Sequence, residues 1–75
     1  MDRYGNLSGD SGVLGYQLRE GAIIVQFRNG SMYEYTNESA GSHAISTMRR
    51  LAVAGRGLSG FIATHVREKY SRRIR

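Results

Sequence analysis

The chain has no cysteine, no tryptophan and no proline, and its 75 residues include only six carboxylates. Without cysteine there is no disulfide, no thiol nucleophile and no thiolate metal site. No unbroken apolar run is longer than Ala22–Val25, far below the roughly 20 residues that a membrane-spanning helix needs. Met1 to Gly12 is polar and glycine-rich, without the apolar stretch of an export signal. These absences lead to the expectation of a cytoplasmic protein with no membrane association. The length corresponds to one small domain. Such a chain buries only about 60% of its unfolded surface, which leaves little room for a deep substrate cavity.

Carboxylates are scarcest where cations are densest. Residues 1–40 carry three arginines against five carboxylates, a net charge of −2. Residues 41–75 carry Arg49, Arg50, Arg56, Arg67, Lys69, Arg72, Arg73 and Arg75 against Glu68 alone, a net of +7. Ten of the eleven cations are arginine, whose planar fork suits bidentate phosphate contact and stacking on bases better than the point charge of lysine. A basic half of this kind is the electrostatic footprint of a polyanion binder. The plainer alternative is a solvated tail that aids solubility.

Residues 1–12 read as a flexible N-terminal arm, since only Tyr4 and Leu7 offer sizeable apolar groups there. Residues 13–75 read as a single domain. Val13–Leu18 and Ala22–Arg28 are rich in aliphatic and β-branched residues, separated by a three-residue turn, Arg19-Glu20-Gly21. Asn29-Gly30 is a strong hairpin signal, and Ser31–Thr36 continues as a third strand. After residue 41 the apolar period changes to about 3.6. Ala44, Ile45, Met48, Leu51 and Ala52 share one helical face, with Ser42 as N-cap and Gly55 closing the helix. A second helix is expected over Leu58–Tyr70, from the recurrence of Leu58, Phe61, Ile62, Val66 and Tyr70. The predicted fold is α+β: a three-stranded antiparallel meander followed by two helices packed on one face, in the order β-β-β-α-α.

Tyr33 and Tyr35 flank Glu34, so both rings point to one side of the third strand. A two-residue Asn29-Gly30 turn pairs Phe27 with Met32 and puts the tyrosines beside Ile24 and Gln26. A three-residue turn with Gly30 as a bulge shifts the pairing by one and places them with Ile23 and Val25, under the helices. Register therefore decides whether the rings are a platform or core filling.

Gly15-Tyr16, Ile23–Phe27, Gly30 and Tyr33-Glu34-Tyr35, followed by Gly55-Arg56-Gly57-Leu58, Phe61-Ile62, His65-Val66-Arg67 and Tyr70, resemble a KTSC domain in order and spacing. That short domain occurs at the C-terminus of some lysyl-tRNA synthetases and as a stand-alone bacterial or phage protein. The resemblance runs from Val13 to the C-terminus, and what it implies is RNA binding. Two positions depart from it: no proline follows the tyrosine pair, and Ala63 stands where members often have asparagine.

The expected function is non-enzymatic binding of RNA or another single-stranded nucleic acid. Arg49, Arg50, Arg67, Lys69, Arg72 and Arg73 would track phosphates, and Tyr33, Tyr35 or Tyr16 would stack on bases if solvent reaches them. His65 would be hydrogen-bonded or face a phosphate. No nucleophile elbow, dinucleotide fingerprint or metal-ligand spacing is present, so no catalytic residue, cofactor or metal is expected. The rival class is a protein-interaction module, either a homodimer or a small inhibitor of a larger nucleic-acid-processing protein. A meander that is apolar on both faces must cover its second face, and a twin subunit, a larger enzyme or the N-terminal arm would each do so.

Overall fold

Alternating side chains and two short turns build the middle of the sheet in the computed structural model, which describes residues 1–7, 9 and 11–75. The strands β1 (Asp2–Arg3), β2 (Val13–Arg19), β3 (Ala22–Phe27), β4 (Met32–Thr36) and β5 (Arg72–Arg73) run antiparallel, and their order in the sheet is their order in the chain. Between β4 and β5 lie α1 (Asn37–Ala40), α2 (Ser42–Ala54) and α3 (Leu58–Phe61), the last continuing as a π-helical turn over Ile62–Val66. The predicted three-stranded meander followed by two helices is therefore incorrect. Among the described residues the sheet has five strands, and the chain returns to it after the helices.

Both added strands are two residues long, too short to carry an alternating pattern that sequence reading detects. β1 lies along β2 with Arg3 opposite Gly15, where a side chain has no room. A Cβ on Gly15 would sit 2.9 Å from the Asp2 carbonyl oxygen. β5 is joined to β4 by backbone bonds from Ser71 N–H to Glu34 C=O (2.6 Å) and from Ile74 N–H to Met32 C=O (2.7 Å). Residues 1–12, read as a flexible arm, include Ser8 and Asp10, which lie outside the described residues. Of the others, Asp2 and Arg3 form β1 and Tyr4 is buried in the core.

The two central turns differ in length. Arg19 pairs with Ala22, so the β2–β3 turn has two residues, Glu20 and Gly21, and is tighter than expected. The β3–β4 loop has three. Phe27 N–H donates to Ser31 C=O (2.8 Å), and Gly30 adopts φ +92°. That left-handed conformation is the glycine bulge of a three-residue hairpin. Asn29 does not serve as the first residue of a tight primed turn. Its Oδ1 instead accepts from Ser31 N–H (3.0 Å) and Ser31 Oγ–H (2.6 Å).

The bulge sets the register. Val25 faces Tyr33 and Ile23 faces Tyr35 across β3 and β4. The tyrosines thus share the helix side of the sheet with Tyr16, Ile23 and Val25, and the core there also takes in Tyr4, Ile45, Met48, Leu58, Ile62 and Val66. The other face has little apolar surface to cover. Ile24 is its main aliphatic residue, set between Gln17 and Glu34, and it is already buried within the single chain.

Thr36 caps α1 reciprocally with Ser39, and Gly55 closes α2 in the left-handed conformation. Gly41, not Ser42, occupies the cap position of α2, and no side chain caps it. The second helix ends at Val66 and does not reach Tyr70. Thr64 Oγ–H donates to Gly60 C=O (2.9 Å) inside the widened π-helical turn, and such back-bonding loosens the regular ladder.

Burial, with the Tyr33 and Tyr70 phenols nearby, pushes the Tyr35 phenol up from its ordinary 10.0 to about 12. The unfolded chain gives up this proton first as pH rises. The contribution of Tyr35 to stability is therefore complete below about pH 10 and is lost between about pH 10 and 12. Urea unfolding of the wild type and Tyr35→Phe across this range is expected to show a steeper alkaline decline in the wild type. Parallel declines would refute it.

Candidate nucleic-acid interface

Three kinds of local structure hold the exposed groups of the C-terminal third: the π-helical turn, residues 67–71, and β5. The π-helical turn buries Ile62 and Val66 and leaves Thr64 and His65 outside. His65 stacks on Phe61 with ring centroids 4.5 Å apart and planes 8° from parallel. Its Nδ1 lies 2.8 Å from Thr64 Oγ1. The same Thr64 hydroxyl lies 2.9 Å from Gly60 C=O, so it ties the imidazole to the helix backbone. Arg67, Glu68 and Lys69 follow, all exposed, and together with Thr64–Val66 they line a shallow hollow.

The chain then turns back to the sheet through Tyr70. This ring packs against Tyr33 (centroids 4.6 Å apart) and presents an edge-on contact to Tyr35 (6.3 Å, 87°). Tyr70 is 36% exposed, whereas Tyr35 is 1% exposed. Arg73 lies opposite Tyr33 across β4 and β5, with its guanidinium carbon 5.7 Å from the Tyr33 ring centre. Phe27 meets the far side of the cluster edge-on at 5.9 Å.

The residues singled out from the sequence therefore part company. Tyr35 is core and offers no stacking face, because the bulged register turns it under the helices. Tyr33 is half-buried and supports Tyr70. Arg49 is engaged elsewhere: its Nη1 donates to Arg19 C=O (2.7 Å), which ties α2 to the β2–β3 turn. Arg72 is paired with Glu34 (Nε to Oε1, 2.8 Å), the one ion pair among the described residues. Arg50 is exposed on α2. Arg67, Lys69, His65 and Arg73 remain within one stretch of chain around Tyr70. Sequence reasoning missed Tyr70 as a surface group because its spacing from Val66 matched a helical core position. The interrupting run Arg67-Glu68-Lys69 was the available signal that the helix had ended.

No family model, no curated protein and no solved structure matches this chain. The resemblance to the KTSC domain therefore rests on the order and spacing of its motifs. Among the described residues there is no cluster of three potential metal ligands, and no helix is long and apolar enough to cross a membrane.

Proposed function

We propose that this protein binds single-stranded nucleic acid, RNA foremost, through residues 65–75, without catalysing a reaction on it. The observation that carries the reading is the exposed Tyr70, backed by Tyr33, with arginine at its side. An aromatic ring supported from behind offers its free face to an unpaired base, and every base has a π-face to offer in return. Arg67, Lys69, Arg73 and Arg75 are exposed, lie within five positions of it along the chain, and suit the backbone phosphates. Arg72 contributes less, since Glu34 already holds its charge. The KTSC resemblance points in the same direction.

Fluorescence-anisotropy titration of labelled single-stranded RNA, single-stranded DNA and duplex, from about 50 to about 300 mM salt, tests the reading. Binding to single strands is expected to weaken steeply as salt rises. Each lost phosphate contact removes about 0.7 from the slope of log K against log salt, so the double variant Arg67→Ala/Lys69→Ala is expected to flatten it by about 1.4. An unchanged slope would remove these two side chains from the interface. No binding at low salt would refute the reading and turn attention to protein partners.

A further inference from the structure

His65 combines two properties that rarely occur together on a protein surface: it is exposed, and it is held still. Phe61 fixes one face of the ring, and the hydrogen bond between Nδ1 and Thr64 Oγ1 fixes its rotation. His65 itself lines the hollow that Arg67 and Lys69 border. An ordinary solvated histidine has neither restraint. A ring immobilised in this way loses little entropy when a flat partner lies on it, and that is the condition for efficient stacking.

We infer that His65 is a second stacking platform, and that the bound strand lays one base on His65 and another on Tyr70, with the intervening phosphates over Arg67 and Lys69. This rests on the proposed single-strand binding and deepens it. The two rings are five positions apart in the chain, a segment that spans at most about 18 Å, so neighbouring or closely spaced nucleotides can reach both. Between the rings the chain carries Arg67 and Lys69 against Glu68, a net positive charge where the sugar-phosphate backbone must cross. Two splayed bases require a strand that is free of a pairing partner, which excludes duplex as the ligand. The site therefore takes a segment of two or more unpaired nucleotides and discriminates against a single nucleotide.

The test uses labelled oligouridylates of increasing length with the full chain and two variants, His65→Ala and His65→Phe. His65→Ala is expected to weaken binding of the longer probes by about 5- to 150-fold while leaving the salt slope unchanged. It should also abolish most of the affinity gained on going from one nucleotide to several. His65→Phe, which restores a flat ring without a polar edge, is expected to recover the affinity. Wild-type binding that His65→Ala leaves intact would overturn the second platform and spare the proposed function. Recovery failing in His65→Phe would also overturn it, by assigning the histidine a polar role. No wild-type binding to any probe would overturn both. Unchanged thermal unfolding of His65→Ala separates these outcomes from a folding defect.

Discussion

Replacing Tyr4 with alanine is expected to remove about 3–5 kcal/mol of folding stability, the usual cost of deleting a buried aromatic side chain. A chain of this length has a total of about 4–11 kcal/mol, so the loss takes a large share of it. Tyr4 is 4% exposed and belongs to the same core as Ile45, Met48 and Leu58. Its hydroxyl oxygen also accepts from Leu58 N–H (3.2 Å), one of the free amides at the start of α3. Next to it, Leu7 N–H donates to Gly55 C=O (2.7 Å), so the N-terminal segment crosses the end of α2 and fastens the turn into α3. Tyr4→Phe keeps the ring and loses only the acceptor, which leaves the buried amide unpaired at a cost of about 1–3 kcal/mol. Urea denaturation of both variants measures the two contributions separately. A loss under about 1 kcal/mol for Tyr4→Ala would mean that residues 1–7 are dispensable, as a loose arm would be.

The tyrosine could be seen in the sequence, but its role could not. One aromatic group among glycines and serines has no periodic partner, and its partners lie more than forty residues away at Ile45, Met48 and Leu58. The three central strands and α2 were readable because each repeats its pattern over five residues or more, and because glycine marks their ends. β5 was not readable for the opposite reason. Arg72 and Arg73 have no strand character of their own, and they pair because the outer edge of β4 offers Glu34 C=O and Met32 C=O to whatever chain returns there. The candidate site shows the same division. Arg67, Lys69 and Arg73 share one exposed segment because they are close in sequence. Arg49 looked equally free, yet a contact thirty residues distant binds it to Arg19 C=O.

The remaining ambiguity, the register of β4, carries the second large effect. Asn29-Gly30 is compatible with both a two-residue and a three-residue loop, and local chemistry alone favours the shorter one. Core packing decides for the longer. In the observed register Tyr35 lies opposite Ile23, 1% exposed, among the largest fully buried side chains of the protein. Tyr35→Ala is therefore expected to cost about 3–5 kcal/mol, a large share of the stability available. Glu34 on the opposite face is the internal control. Removing it breaks an ion pair whose arginine is 63% exposed, and Glu34→Ala should cost no more than about 1 kcal/mol. The alternative register reverses the order, because it would bring Glu34 under the helices and turn Tyr35 to solvent. Urea denaturation of the two variants side by side thus reads the register. A smaller loss for Tyr35→Ala than for Glu34→Ala would assign the two-residue turn, and it would return both Tyr33 and Tyr35 to the surface as stacking groups.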